Sequence, residues 1–242
     1  MRRVMPMVIL MLVCSLLSWA AAGCGEEADT TSATQATTAT APQTPGSAGD
    51  ILGAVLKFSD LASSSPYFKQ IADLFAREII SGFGDGTFKA DSPVTRQQFA
   101  KMIVKTMGYP VSEADVCPFV DVPSSESLID PLYPDYYVAV CAAQGVTVGK
   151  TATEFVPNGS ITRAQLTTMV ARAANLVEPP EGYSPPFGQF DNTHFPFARR
   201  AEYSGLLNGL LGIGPNYDFF SPATRGEVCV VLYNLLHNLL DN

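Results

Sequence analysis

Ser92-Pro93-Val94-Thr95-Arg96-Gln97-Gln98-Phe99 is written twice more in this chain, as Gly159-Ser160-Ile161-Thr162-Arg163-Ala164-Gln165-Leu166 and as Ser221-Pro222-Ala223-Thr224-Arg225-Gly226-Glu227-Val228. Thr95, Thr162 and Thr224 stand where an N-cap oxygen takes up orphan backbone N–H groups. Gln98, Gln165 and Glu227 follow three residues on and complete a capping box each time. Behind each start, apolar residues recur at helical spacing: Phe99, Ile103 and Met107; Leu166, Met169 and Val170; Val228, Val231, Leu232 and Leu235. Three copies of one helix start are an internal repeat, and a two-helix unit of this size needs its neighbours to bury a core.

The same landmarks precede each copy in the same order: an aromatic with a nearby Asp, a Pro-led helix, a Gly-rich turn, then a Phe. They are Phe58 and Asp60, Pro66, Gly82 to Gly86 and Phe88; Phe119 and Asp121, Pro134, Gly145 to Gly149 and Phe155; Phe190 and Asp191, Pro196, Gly209 to Gly214, and Phe219 or Phe220. The expected fold is therefore all-α. First helices start near Pro66, Pro134 and Pro196, where a missing N–H costs nothing, and stop near Gly82, Gly145 and Gly209. Second helices run from the capping Thr to about Met107, Asn175 and Leu240. The repeats are bounded at 51–113, 114–180 and 181–242, and six helices share one core.

Thr and Gln or Glu are explained by capping, but Arg96, Arg163 and Arg225 are not. A cation in the first helical turn opposes the helix dipole at a cost of about 0.3–1 kcal/mol, so an anion belongs nearby. Two sources are open. Asp60, Asp121 and Asp191 would supply it internally; alternatively an external anion is held by the Arg and free helix N–H groups.

The order Phe-x-Asp, Gly82-Phe83-Gly84-Asp85-Gly86-Thr87-Phe88 and Pro93-Val94-Thr95-Arg96-Gln97-Gln98-Phe99 resembles the S-layer homology (SLH) family, whose signature ends in Thr-Arg-Ala-Glu. The likeness runs from about Lys57 to Leu240 and weakens from the first copy to the third. It implies three helix-loop-helix repeats in a pseudo-threefold arrangement around a central helical bundle, binding pyruvylated secondary polysaccharides of the bacterial cell wall. By that resemblance Arg96, Arg163 and Arg225 contact the acidic glycan and the Gly-rich turns, with Gly84 and Gly86, shape the grooves; Asp60, Asp121 and Asp191 belong to the same glycan-binding set. Two departures stand out: the signature Glu is Gln98 and Gln165 in the first two copies and survives only as Glu227, and the third copy reads Phe190-Asp191 without the intervening residue. The family's first-helix Trp is replaced by Tyr67, Tyr136 or Tyr137, and Phe197.

Arg2 and Arg3 precede an uncharged, mostly apolar run from Val4 to Ala22, and composition turns polar after Ala21-Ala22-Gly23-Cys24. Residues 1–23 read as a secretory signal, and the small residues before Cys24 resemble a bacterial lipobox that would lipidate it. An uncleaved anchor helix and plain secretion are the competing readings. Residues 24–50, rich in Thr, Ala and Ser and without aromatics, read as a disordered stalk averaging about 28 Å end to end. Without residues 1–23 the charge changes from −8 to −10, because two Arg and no acid are removed. So acidic a surface excludes nonspecific nucleic-acid binding, and an acidic wall polymer needs recessed Arg side chains.

Cys117 and Cys141 flank the first helix of the second repeat, and a bridge between them would close a 24-residue loop worth about 3 kcal/mol. Cys229 reads as a buried small residue. The two His, His194 and His237, lie far apart and make a poor metal site; the Gly84-Asp85-Gly86 turn lacks the acidic ligands of a calcium loop. The recurring Asp residues sit at matched places in every repeat, as binding residues do, whereas glycoside hydrolysis needs one asymmetric pair. The expected protein is a non-enzymatic, cofactor-free module outside the cytoplasm, lipid-held at the membrane and associated with the wall polysaccharide. A protein–protein adaptor with degenerate glycan grooves is the alternative.

Overall fold

The computed structural model describes residues 58–125 and 129–240; the signal segment, Cys24 and the whole of the stalk reading lie outside them. Among the described residues the secondary structure is helical, with only isolated bridges in place of strands. The helices are α1 Phe68–Ala76, α2 Arg96–Met107, α3 Asp135–Ala143, α4 Arg163–Ala173, α5 Phe195–Tyr203 and α6 Arg225–Leu235, the last continued by a π-helical turn, Leu236–Leu240. The all-α expectation holds.

All three second helices open on a complete capping box. The N–H of Thr95, Thr162 and Thr224 donates to the side chain of Gln98, Gln165 and Glu227 at 3.0, 3.3 and 2.9 Å, and each Thr hydroxyl accepts in return. The first helices end at Gly145 as expected in the second repeat, and earlier than expected in the other two. Each leaves through a left-handed residue two positions past its last turn, Glu78 (φ 58°), Gly145 (φ 69°) and Gly205 (φ 72°). The N–H groups of Ile79, Val146 and Leu206 then donate back to Leu74, Cys141 and Ala201. The first and third helices therefore stop well short of Gly82 and Gly209, because Ile79, Ile80, Leu206 and Leu207 must turn inward and are buried.

Helices α2, α4 and α6 contact one another, and each carries the first helix of the following repeat: α3 on α2, α5 on α4, and α1 on α6. Their shared core includes Phe88, Phe99, Ile103, Phe155, Leu166 and Leu232, all essentially inaccessible to solvent. Backbone bonds follow the same cycle. Arg96 and Gln97 N–H donate to the carbonyls of Gly159 and Pro157, Arg163 and Ala164 to Ser221 and Phe219, and Arg225 and Gly226 to Ser92 and Ala90, all at 2.8–3.1 Å. The orphan donors of each helix start are thus satisfied by the segment that leads into the next one. No free helix N–H is left there for an external anion, contrary to that part of the expectation.

The cycle also fixes the register of the third repeat. Seven residues separate Phe88 from Thr95 and Phe155 from Thr162, and the residue seven before Thr224 is Tyr217, neither Phe219 nor Phe220. Similarly Phe187, buried like Phe58 and Phe119, takes the leading aromatic place, 37 residues before Thr224 as Phe58 is before Thr95. Phe190 instead stacks on Phe219, ring centroids 4.2 Å apart. With Phe187 leading, Gln189 occupies the Asp position and Asp191 is free for another task.

Cys117 and Cys141 are both free thiols, so the expected bridge does not form. The two thiols point to different carbonyls, Cys117 to Phe119 and Cys141 across the helix interface to Ala100. Cys229 is fully buried, as expected.

Candidate functional site

Each repeated Arg crosses into the neighbouring repeat and lies over an aromatic ring. The Arg96 guanidinium carbon is 4.5 Å from the Phe155 ring centre, Arg163 4.7 Å from Tyr217, and Arg225 4.4 Å from Phe88 and 4.8 Å from Phe83. Beyond this shared stacking, their polar partners differ in charge. Arg96 Nε donates to Phe155 O at 2.7 Å and Nη1 to Gln165 Oε1 at 3.3 Å. Arg225 Nε donates to Phe88 O and Nη2 to Ser81 O, both at 2.8 Å. These partners are neutral, and both arginines are buried, 3% and 8% exposed. Arg163 instead forms a bidentate pair with Glu227, Nη2 to Oε1 at 2.6 Å and Nε to Oε2 at 3.2 Å, with Nε also 3.0 Å from Oε1, and Nη1 donates to Asp218 O.

The electrostatics follow the partners. Burial lowers the pKa of Arg96 and of Arg225, opposed by Asp121 in the first case and by Cys229 and Asp60 in the second. Burial pushes Arg163 the same way, but Glu227 outweighs it and the net shift is upward.

The three aspartates do not pair with these arginines among the described residues; they organise backbone. Asp60 accepts from Phe88 and Lys89 N–H, both at 2.7 Å, and Asp121 from Phe155 and Val156 N–H at 2.8 and 2.7 Å. Thus Phe88 and Phe155 are clamped twice, N–H by an Asp and carbonyl by an Arg. Burial raises the pKa of both carboxyls, but these N–H bonds prevail and hold them below the ordinary aspartate value. Asp191 does something else, accepting from His194 and Phe195 N–H at the start of α5.

A cavity of about 270 Å³ opens beside Arg225, between the first repeat's turn, α2 and the start of the second repeat. Arg225, Lys101, Gln98, Phe83 and Tyr133 face it, together with Gly82. Gly82 permits this shape because a Cβ there would lie 2.1 Å from Phe58; Gly149 meets Phe119 in the same way. Gly84 and Gly86, singled out from the sequence, form the turn beyond Phe83 and do not line the cavity. Lys101 and Tyr133 were not recognised in advance, although Lys101 follows Thr95 by six residues, on the helix face that carries Gln98. Lys101 also pairs with Asp130 at 2.6 Å. Of the residues at the family's Trp position, Tyr67 and Tyr137 are core, whereas Phe197 is partly exposed and receives Arg172 and Arg200.

Residues 57–100 and 129–167 match the S-layer homology domain, covering the helix starts at Thr95 and Thr162 but not the third. The chain is similar to an endoglucanase of Bacillus sp. (strain KSM-635), 36% identical over 121 residues, which are 50% of this chain and 12% of that protein. It is 28% identical over 183 residues to a cell surface protein of Thermoanaerobacter kivui, covering 74% of this chain and 21% of the relative. An S-layer protein of Bacillus licheniformis is 28% identical over 145 residues, 60% of this chain and 16% of that one. The chain spans less than a quarter of the length of these relatives.

Proposed function

We propose that this protein is a non-catalytic anchoring module of the cell envelope that binds an acidic, pyruvylated cell-wall polysaccharide outside the cytoplasm. The observation that carries the reading is the pair of buried arginines, Arg225 and Arg96, whose hydrogen-bond partners are all neutral. A buried cation without a counter-ion is costly, and an anionic group on a ligand would offset that cost, first of all at the cavity beside Arg225. Phe83 and Tyr133 add ring surface for a sugar there. SLH matches in the first two repeats, together with S-layer and cell-surface proteins among the relatives, support the wall as the partner. The cyclic bonds around the three helix starts support the pseudo-threefold arrangement. The endoglucanase name belongs to that protein, of which this chain matches 12%.

In this reading Cys24 carries lipid, residues 24–50 are the stalk, and the three repeats tether membrane to wall, with no cofactor or metal. The third Arg, neutralised by Glu227, favours a shut groove there and keeps the adaptor reading in play for that face. The test is sedimentation of the full-length protein, in mild detergent, with isolated wall sacculi before and after chemical removal of the wall-linked polysaccharide. Cosedimentation that disappears with the polymer is the expected result. Binding that survives its removal, or no binding to intact walls, would put the protein-partner reading first.

A further inference from the structure

We propose a second acidic-glycan subsite outside the arginine-headed clefts, on the α4 face that runs from Gln165 past Thr168 to Arg172 and across to Phe197 and Arg200 of α5. Its ligand is another anionic substituent, carboxylate or phosphate, farther along the same polymer, so the proposal rests on the polysaccharide reading above.

Gln165, Thr168 and Arg172 are spaced i, i+3 and i+7 and share one helix face over about 10 Å. Each holds a different group to that face. Gln165 takes Arg96 Nη1 at 3.3 Å, Thr168 Oγ1 lies 2.8 Å from His194 Nδ1, and the Arg172 guanidinium carbon stands 4.9 Å from the Phe197 ring centre. Arg200 approaches the same ring at 5.3 Å. Thr168 itself is buried and bonded to His194, so the strip meets solvent at its two ends, Gln165 beside Arg96 and Arg172 beside Phe197.

Arg172 is the decisive residue. It is half-buried, and its guanidinium has no hydrogen bond or ion pair among the described residues, leaving five donors in a fixed planar fork. The carboxylates nearby are already engaged. Glu178 pairs with Arg200 and with Arg199, and Asp191 accepts from the backbone of His194 and Phe195. Arg199 and Arg200 thus share one glutamate, and Arg172 has no ion pair among the described residues, on a chain of net charge −8. Burial lowers the pKa of His194; Asp191 opposes that shift, and Arg172 and Lys150 add to it. A linear polyanion fits this geometry, because one strand can engage Arg96 and then Arg172 and convert the second contact into an intramolecular one.

The test uses two probes on full-length protein: wall sacculi, and oligogalacturonides of increasing length as an acidic glycan of known charge spacing. Arg172→Gln is expected to leave the melting temperature unchanged and weaken binding of long oligomers and of sacculi about tenfold, with single-sugar binding unaffected. Arg96→Gln should weaken every length, and Arg172→Lys should restore part of the loss. Unchanged affinity of Arg172→Gln for both probes overturns the subsite, as does an equal loss at every length. If the wild type ignores sacculi but binds long oligomers through Arg172, the wall reading fails and the subsite stands.

Discussion

The helix starts at Arg96 and Arg163 have the same cap, the same crossing into the next repeat and the same stacking on a ring, yet they resolve their charge in opposite ways. Arg163 meets Glu227, itself only 3% exposed; Arg96 meets Gln165 in the corresponding place. A single position, the last of the capping box, does two jobs: it caps its own helix and receives the arginine of the preceding repeat. Gln performs the first job as well as Glu does. It performs the second without supplying charge, and so leaves Arg96 with neutral hydrogen-bond partners only. Arg225, whose cleft contains Gln98, follows Arg96.

The largest test of this difference is Arg163→Ala. It strands the buried Glu227 carboxylate and should destabilise the protein by about 3 kcal/mol, measured by denaturant unfolding, while wall binding is retained. Comparable stability losses for Arg163→Ala and Arg96→Ala would show that the counter-ion makes no difference.

Next in size are Arg96→Gln and Arg225→Gln. Each gives up hydrogen bonds to buried carbonyls and should cost about 1–2 kcal/mol, well below Arg163→Ala, yet lower wall binding tenfold or more. Glu227→Gln is the converse experiment. It keeps the cap, gives the third helix start the chemistry of the other two, and should increase the salt sensitivity of polymer binding. A Glu227→Gln protein with the salt dependence of the wild type would mean the third groove is closed by shape, not by charge.

Smaller again are the caps themselves. Thr95→Ala, Thr162→Ala and Thr224→Ala should each cost about 1 kcal/mol by thermal unfolding, because all three boxes are complete whichever residue closes them. A much larger loss at Thr224 would indicate that the Arg163–Glu227 pair depends on the box to hold Glu227 in place.

What could be read in the sequence was local. Caps and second helices depend on residues a few positions apart, so Thr95-x-x-Gln98 and its copies announce them. The partners of Arg96 lie 59 and 69 residues away, at Phe155 and Gln165. Spacing within one repeat could not reveal that a repeat completes its neighbour's site and not its own. The register of the third copy failed for a related reason. Phe219 and Phe220 are the more conspicuous aromatics, whereas the position is defined by the distance to Thr224 and is filled by Tyr217, whose ring serves Arg163 as Phe155 serves Arg96. Cys117 and Cys141 illustrate the opposite error, a suitable loop length without thiols that face each other.

The gentlest probe of the comparison is acid. Asp60 and Asp121 have folded pKa values below the ordinary 3.8, since N–H bonds from Phe88 and Lys89, and from Phe155 and Val156, prevail over burial. For a carboxyl depressed in the folded state, the stabilisation is fully present above the unfolded value and is lost as pH falls through the folded one. Acidification below about 4 should therefore reduce hydrogen-exchange protection at the Phe88 and Phe155 amides together. Tyr217, the matched residue of the third repeat, donates its N–H to Gly214 O and should lose none. Loss of protection at Tyr217 in step with the other two would mean that acid acts on the whole fold. The double clamp of Asp and Arg on a single residue would then not be what separates the first two repeats from the third.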